Sequence, residues 1–517
     1  MLALAALTVA CAFRAYLFYQ TDEHVSIVEL VSFKLGFTPT ELLTWEYTAA
    51  IRPWVLPFAY WVIANVARFF GVDSRFLYVS IFRLATGALC VVAYLRLWRN
   101  TTAPRGEGQP RAAASDVSPR PRPLVSLPSA LVLPFLPYLF TRTSAEAVSG
   151  ALLALAWVSH FPAGRHGATP SSPTGGSGLV AGLLFGLAFA VRPQTAIFAV
   201  ALFIWTLIFE RRSRTWWCGL IGGGGFALVI LVLCDRWGYG RWVLSPVRYF
   251  VENLVDGRAA AFSTAPFYAY ATLLLANPCA PVVGYCIAVV AIAMVRHPRH
   301  PATWAVGAFI LVHCILGHKE DRFLFPMSPM LAVFVPLAFE GASPRLARWG
   351  ALLASFGRVT YVLGFVAIGW VIIAPYGNCN TGLARAIEKA GRRDVPVVMI
   401  ATHGRGIARQ PFYERQPWFA VGEGAAIPAP MLARGFAYVV SDDLANGPEA
   451  CPTPNLHGRC TRLWSEFPLD EPAHSRWLAR AEEGQEWLRS RFAKSSAAHP
   501  TWAAVYEFRP EHGPPDH

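Results

Sequence analysis

Charge is scarce in this chain. Of its 517 residues only 15% are Asp, Glu, Lys or Arg, against about 25% in an ordinary soluble domain, so there is too little polar surface to coat a globule of this size. The shortage excludes a string of soluble domains for everything before about Tyr376. Also missing are a CxxC pair and any Cys/His cluster with metal-ligand spacing, which argues against a zinc site. Seven of the ten cysteines lie in or beside apolar segments, where a free thiol behaves as a small hydrophobe; only Cys379, Cys451 and Cys460 fall in polar sequence. There is no nucleotide-binding Gly-rich loop and no RNA or DNA motif. Apolar residues dominate instead, at 54% of the chain with 34 Phe, 18 Trp and 17 Tyr, and the mean hydropathy is +0.38. The chain reads as an integral membrane protein whose first partner is the bilayer.

Twelve apolar runs approach the ~20 residues that cross a membrane as a helix. They are Leu2 to Tyr19, 54–70, 77–98, 124–140, 146–161, 178–191, 194–209, 217–234, 279–296, 302–317, 323–340 and 351–375. The first has no basic n-region and no small-residue cleavage site, and reads as an uncleaved first helix. The net charge of +13 resides largely in short basic clusters between runs, as the positive-inside rule requires of cytoplasmic loops, so no nucleic-acid partner is needed to explain it. Loops 20–53, 141–146 and 235–278, the segment 318–322 and everything after Tyr376 then share the opposite face. Runs 54–70 and 77–98 cannot both cross if loop 20–53 is non-cytoplasmic and the arginine-bearing loop 99–123 cytoplasmic. Either the Pro-flanked run 54–70 is short or re-entrant, leaving eleven crossings, or loop 99–123 lies outside despite its arginines.

Residues 103–123 and 162–178 are Pro-, Ser-, Arg- or Gly-rich linkers with too little apolar surface to order themselves. The sequon Asn100-Thr101-Thr102 at the edge of the first matters only if that loop is lumenal. From about Asn378 the composition becomes that of a soluble domain. A helix is expected over Gly382 to Gly391 and strands at Val395 to Ile400, Phe436 to Val440 and Trp502 to Phe508, with Cys451 and Cys460 able to close a short disulfide loop in an oxidising compartment. The expected organisation is a transmembrane catalytic region over 1–375 and a small α/β domain over 376–517.

Ionisable residues at membrane level are functional candidates, because each is costly unless paired or hydrated. One group is Thr21-Asp22-Glu23-His24 after the first helix, followed by Glu29, Trp45-Glu46-Tyr47 and Arg52-Pro53. Adjacent carboxylates beside a low-dielectric surface are expected to give one of them a raised pKa and make it a usable base; the competing reading is a solvated helix cap. The other group is His318-Lys319-Glu320-Asp321-Arg322, five consecutive ionisable residues between two apolar runs. On a helical start to the next span, Lys319 and Arg322 share a face and can hold a phosphate, whereas an interfacial anchor is the bland alternative. Arg192-Pro193-Gln194-Thr195 breaks an apolar stretch, with Arg192 either facing a cavity or lying in a plain loop. Within loop 235–278, Asp235, Tyr239-Gly240 and Phe262-Ser263-Thr264-Ala265-Pro266-Phe267-Tyr268-Ala269-Tyr270 form an aromatic, Pro-containing surface whose rings can stack on sugar or cover a lipid, although an interfacial belt looks the same in sequence.

His318-Lys319-Glu320-Asp321-Arg322-Phe323 resembles the H-K-E-x-R-F signature of glycosyltransferase family 22, the multi-spanning GT-C mannosyltransferases. The Asp22-Glu23 pair and Leu43-Thr44-Trp45-Glu46-Tyr47 with Ile51-Arg52 are also similar to that family. Arg192-Pro193, Tyr239-Gly240, the stretch to Tyr270 and a C-terminal α/β segment with His403 are most like the branch acting on glycosylphosphatidylinositol (GPI) anchors. Leu43 to Tyr47 is also similar to the N-glycan branch, and Ala401 and Thr402 stand where the GPI branch has a Cys-containing motif. The resemblance implies a mostly α GT-C fold of eleven or twelve transmembrane helices with a small α/β domain on the lumenal or periplasmic side. It implies mannose transfer with inversion from a dolichol- or polyprenyl-phosphate donor to a glycolipid acceptor, with no cofactor and no metal. The roles it implies are Asp22 and Glu23 at the acceptor hydroxyl, Lys319, Arg322, His318 and Arg192 at the donor phosphate, and Glu320, Trp45, Glu46 and Arg52 in positioning substrate. The active site faces the endoplasmic reticulum lumen in a eukaryote and the periplasm in a bacterium. A polyprenyl-lipid transporter or flippase is the rival from another class, but no self-similar halves of the transporter kind are found.

Overall fold

The computed structural model describes residues 2–14, 22–102, 136–162, 175–275, 280–339, 359, 362, 397–400, 418–421, 437–441, 458–465 and 504–510. The chain divides into two compact units, one of helices and one built around strands.

In the helical unit the apolar runs become Leu2–Arg14, Val55–Phe69, Arg75–Thr102, Ala145–His160, Gly175–Val191, Ala196–Phe209, Arg214–Tyr239, Ala280–Arg296 and Pro301–Ile315, then the mixed segment Asp321–Met330 and Leu331–Phe339. Among the described residues, three helices are long and apolar enough to cross a membrane: Arg75–Thr102, Arg214–Tyr239 and Asp321–Phe339. The Val55–Phe69 helix has 15 residues, about 22 Å at 1.5 Å per residue, against a hydrocarbon core of ~30 Å. Of the run 124–140 only Leu136–Phe140 is described as helix, and run 351–375 lies almost wholly outside the described residues. The linkers 103–123 and 162–178 lie largely outside them too. The sequon is not at a free loop edge: Asn100 is buried in the last turns of Arg75–Thr102, and its side-chain amide donates to the Phe161 carbonyl at 2.8 Å.

Local signals set the helix ends. Ser144 and Ser213 accept from the backbone N–H groups of Ala147 and Trp216, each at 3.2 Å, which satisfies donors the first turn leaves open. Gly240, at φ +71°, ends Arg214–Tyr239 in the left-handed conformation that glycine adopts without steric cost. In an apolar solvent helices gain little from expelling water and associate by close packing. A Cβ on Gly182 would stand 2.0 Å from the Leu220 carbonyl oxygen, so glycine lets Gly175–Val191 and Arg214–Tyr239 approach backbone to backbone.

The segment that carries the charge-rich motif is unusual. Residues 318–320 are not helical, and Asp321–Met330 is a ten-residue 3₁₀ helix with Pro326 and Pro329 inside it, well beyond the three or four residues such helices usually run. Gly150 of Ala145–His160 packs on it so closely that a Cβ there would lie 2.8 Å from the Pro326 carbonyl oxygen.

The other unit contains a five-stranded mixed sheet of β1 (Val397–Ile400), β2 (Trp418–Val421), β3 (Ala437–Ser441), β4 (Gly458–Ser465) and β5 (Ala504–Pro510), in the order β2-β1-β3-β5-β4. β1 pairs in parallel with β2 and β3, and β5 runs antiparallel to β3 and β4. Val397, Val398, Val439 and Phe508 are buried. Three strands fall where the apolar runs predict them; Trp418–Val421 and Gly458–Ser465 are additional, the second alternating polar and apolar around Arg459 and Arg462. Cys460 is disulfide-bonded and its partner lies outside the described residues, as does the helix expected over Gly382 to Gly391.

Candidate active site

Three stretches far apart in sequence meet in one alternating chain of charges. Arg322 donates from Nε to Glu320 Oε2 at 2.5 Å and from Nη2 to Glu320 Oε1 at 3.0 Å, while the same Nη2 lies 2.6 Å from Asp22 Oδ2. Arg52 donates from Nη2 to that Asp22 oxygen at 3.2 Å and holds Glu46 with two bonds, from Nε at 2.8 Å and from Nη2 at 2.5 Å. The order Glu320, Arg322, Asp22, Arg52, Glu46 therefore alternates in sign. Such charge-assisted and forked contacts are the strong class of hydrogen bond and fix direction as well as distance.

Each member is held from behind. The Tyr239 hydroxyl donates to the Arg52 carbonyl at 2.7 Å and accepts from the Arg52 N–H at 3.1 Å, so the end of Arg214–Tyr239 clamps that backbone. Buried Asp235 accepts from the N–H of Trp54 at 3.0 Å and of Ser245 at 2.9 Å. Ser26 donates to Glu46 Oε2 at 2.7 Å. At the other end the His318 ring meets Glu320 Oε1 at 2.9 Å through Nε2; a carboxylate only accepts, so Nε2 carries the proton. Its Nδ1 lies 3.0 Å from Ser263 Oγ.

The electrostatics correct one expectation. Burial pulls the Asp22 carboxyl up, but the charges of Arg322 and Arg52 outweigh it and hold the group below the usual carboxylate value. At Asp22 the raised pKa expected from a low-dielectric surface is not found, because two cations sit on one oxygen. Glu320 behaves likewise: burial raises it, while the His318 hydrogen bond and Arg322 bring it down to about 2. His318 is pushed above its ordinary value, chiefly by its hydrogen bond to Glu320 and against its own burial. Asp22 and Glu320 are thus both favoured as carboxylates beside Arg322.

A second expectation fails on geometry. Lys319 and Arg322 do not share a helix face, because residues 318–320 precede the helix and Glu320 is extended at φ −133° and ψ 143°. Side chains alternate across an extended backbone, so His318 and Glu320 point one way and Lys319 the other. Lys319 is buried and donates to the carbonyls of Leu316 and Ala265 at 2.5 and 2.9 Å; with the Ala265 N–H donating to the Gly317 carbonyl at 2.9 Å it pins residues 263–265 beside the motif. The Asp22-Glu23 pair is split as well. Asp22 joins the charge chain with its side chain 36% exposed, whereas Glu23 is buried, where its charge bears on Tyr60 and Tyr138. Trp45 lies outside the chain, its ring 4.9 Å from the Arg258 guanidinium.

Arg192 is buried before the short helix Pro193–Thr195. Its Nη1 is 2.9 Å from Glu146 Oε1 and its guanidinium lies 5.3 Å from the centre of the Phe323 ring, which Arg322 meets at 5.5 Å. Glu146 and Ser26 escaped the sequence reading, whereas Asp235 and Ser263 fall in the stretches of loop 235–278 that it singled out. For Glu146 a signal existed: it is an ionisable residue at the end of an apolar run, and a charge at membrane level is the criterion that singled out Asp22. Of the aromatic stretch, Tyr270 is buried while Phe267 and Tyr268 are exposed. Among the described residues no group of three His, Cys, Asp or Glu side chains is arranged to hold a metal ion.

Comparison with known proteins adds the following. The model of the Alg9-like mannosyltransferase family matches residues 1–380. GPI mannosyltransferase 3 of Trypanosoma brucei brucei is 29% identical over 202 residues, which cover 36% of this chain and 36% of that protein. GPI alpha-1,2-mannosyltransferase 3 of Bos taurus is 24% identical over 295 residues, 56% of this chain and 50% of that protein. The chain thus spans a third to a half of the length of these relatives. Among solved structures, ArnT from Cupriavidus metallidurans bound to undecaprenyl phosphate superposes with a TM-score of 0.54 at 13% identity, covering 98% of this chain and 97% of that one. At that identity the likeness is one of fold, a mostly helical GT-C arrangement.

Proposed function

The chain belongs to the Alg9-like mannosyltransferase family, and from that premise we propose that it transfers mannose from a polyprenyl-phosphate donor to a mannose-bearing glycolipid. The acceptor is of the GPI-anchor-precursor type, as the names of its relatives suggest, and the product is an α-mannoside formed with inversion. The observation that carries this reading is the Asp22 carboxylate, partly exposed and held between Arg322 and Arg52.

In the proposed step the acceptor hydroxyl attacks the anomeric carbon of the β-linked donor from the face opposite the phosphate. Its proton passes to Asp22, and the electron pair of the breaking C–O bond leaves with the phosphate. A phosphate monoester is stable as an anion, so the leaving group needs cations rather than a general acid. Among the described residues the Arg322 bonds to Asp22 and Glu320 use N–H groups on Nε and Nη2. Its Nη1 donors, of the five a guanidinium offers, are left for a phosphate oxygen. Arg322 then touches base and leaving group on different edges, which suits attack from the opposite face. Arg192, which meets the same Phe323 ring, is the second cation. Arg52 and Glu46 orient the base, and His318 and Lys319 hold the loop at 263–265 that closes this side. The active site is lumenal or periplasmic, a reading the disulfide at Cys460 supports.

The test is Asp22→Asn in purified protein reconstituted in lipid with dolichyl-phosphate-mannose and a mannose-terminated glycolipid. Loss of a general base removes about 10² to 10⁴ in kcat, while binding of dolichyl phosphate persists. Near-normal turnover of the folded variant sinks the assignment of the base.

A further inference from the structure

The charge chain accounts for Asp22, Arg52 and Arg322 but not for a buried carboxylate beside them. Glu146 is 3% exposed, at the first turn of Ala145–His160. A carboxylate at that depth persists only against a cation. Its ion-pair partner is Arg192, with Nη1 2.9 Å from Glu146 Oε1 although that oxygen accepts no hydrogen bond among the described residues, and its charge reaches Arg322 as well. Both arginines stand against one ring, Phe323. The helix that presents Glu146 is seated on the 3₁₀ segment through the Gly150–Pro326 contact, so Glu146 is tied to the backbone that carries Arg322.

We propose that Glu146 is the positioning residue for the donor phosphate: it holds Arg192 at the Phe323 ring that Arg322 also meets, so that both guanidiniums can reach the lipid-linked phosphate. The proposal rests on the reading of Arg192 and Arg322 as the groups that meet that phosphate. Glu146 itself touches neither sugar nor phosphate; it acts through Arg192. With Glu146 neutral, Arg192 keeps its charge but loses the buried contact that fixes its direction, and the pair of arginines no longer converges.

The experiment compares Glu146→Gln, Glu146→Asp, Arg192→Gln and the double variant Glu146→Gln/Arg192→Gln in lipid, with dolichyl-phosphate-mannose as donor and dolichyl phosphate as binding probe. Expected for Glu146→Gln are a roughly tenfold rise in donor KM and a matching loss of dolichyl phosphate binding, about 1.4 kcal/mol at a factor of ten, with acceptor KM and the acid limb of the pH profile unchanged. Glu146→Asp recovers part of the loss. In the Arg192→Gln background Glu146→Gln adds nothing further, because the two act as one unit. If the single variant does not fold, the double variant, which leaves no lone buried charge, carries the test with the same expected rise in donor KM. Wild-type donor KM and dolichyl phosphate binding in the double variant, or additive effects of the singles, overturn the proposal. Because binding of dolichyl phosphate is read without turnover, failure here is separable from failure of the Asp22 assignment, which is read only in kcat.

Discussion

Asp22 accepts from two arginines on one oxygen, and removing one of them must move the pH at which it ionises. Arg52→Gln deletes the cation 3.2 Å from Asp22 Oδ2 and leaves Arg322 at 2.6 Å. Two unit charges ~4 Å apart interact by about 4 kcal/mol at an effective dielectric of ~20. The Asp22 side chain is 36% exposed, so solvent screening brings the contribution down to the range of about 0.2 to 1 kcal/mol measured for exposed pairs, or roughly 0.2 to 0.7 of a pH unit. The sign follows from the native state. Asp22 is held below the ordinary carboxylate value by both cations; losing one lets its pKa rise; the reaction needs the ionised form; so the acid limb of kcat/KM moves to higher pH. Initial rates with limiting acceptor over roughly pH 4 to 8, a range that brackets the ordinary carboxylate and histidine values, measure the limb directly. A control in which Glu46 and Arg52 are both replaced by Gln avoids leaving Glu46 without its forked partner and should show the same displacement. An acid limb that stays in place, or moves to lower pH, in a folded Arg52→Gln protein refutes the reasoning.

Other outcomes follow from the same geometry. Gly150→Ala places a methyl 2.8 Å from the Pro326 carbonyl; overpacking of this kind typically costs about 1 to 3 kcal/mol, so the melting temperature falls, and donor kinetics suffer with it because the displaced backbone carries Arg322. The His318–Glu320 pair makes stability depend on pH at both ends. Glu320, depressed to about 2, contributes stability that is complete above the ordinary Glu value of about 4.3 and lost as pH falls through about 2; His318, raised, contributes stability present below about 6.5 and lost as pH rises through its native value. Thermal melts of His318→Gln should lack the loss that wild type shows as pH rises past about 6.5; an unchanged slope there counts against the pair.

Much of this was legible in the residues. Apolar runs of membrane length announce helices because a backbone in hydrocarbon must satisfy its own hydrogen bonds, and most of the described runs are helical at nearly the expected bounds. The density of charge at His318 to Arg322 was legible for a similar reason: five ionisable side chains between apolar spans need a partner or a ligand. The separate roles within that motif were not. Lys319 looked like a phosphate-binding group because a helical start was assumed, and a non-helical backbone at 318–320 lets it reach the Leu316 and Ala265 carbonyls instead. Glu146 was passed over, since nothing near it in sequence reveals Arg192.

The sequence by itself determined the membrane character of the chain, the helical course of its apolar runs and the shortlist of ionisable residues, because transfer of charge into lipid is costly wherever it occurs. Only the tertiary structure decided which of those residues meet. Asp22, Arg52 and Arg322 lie 30 and 270 or more positions apart and become neighbours through packing, and with that contact the Asp22 carboxyl moves below its ordinary value rather than above it. A pKa is set by the distances to charges in space, and those distances are a property of the fold.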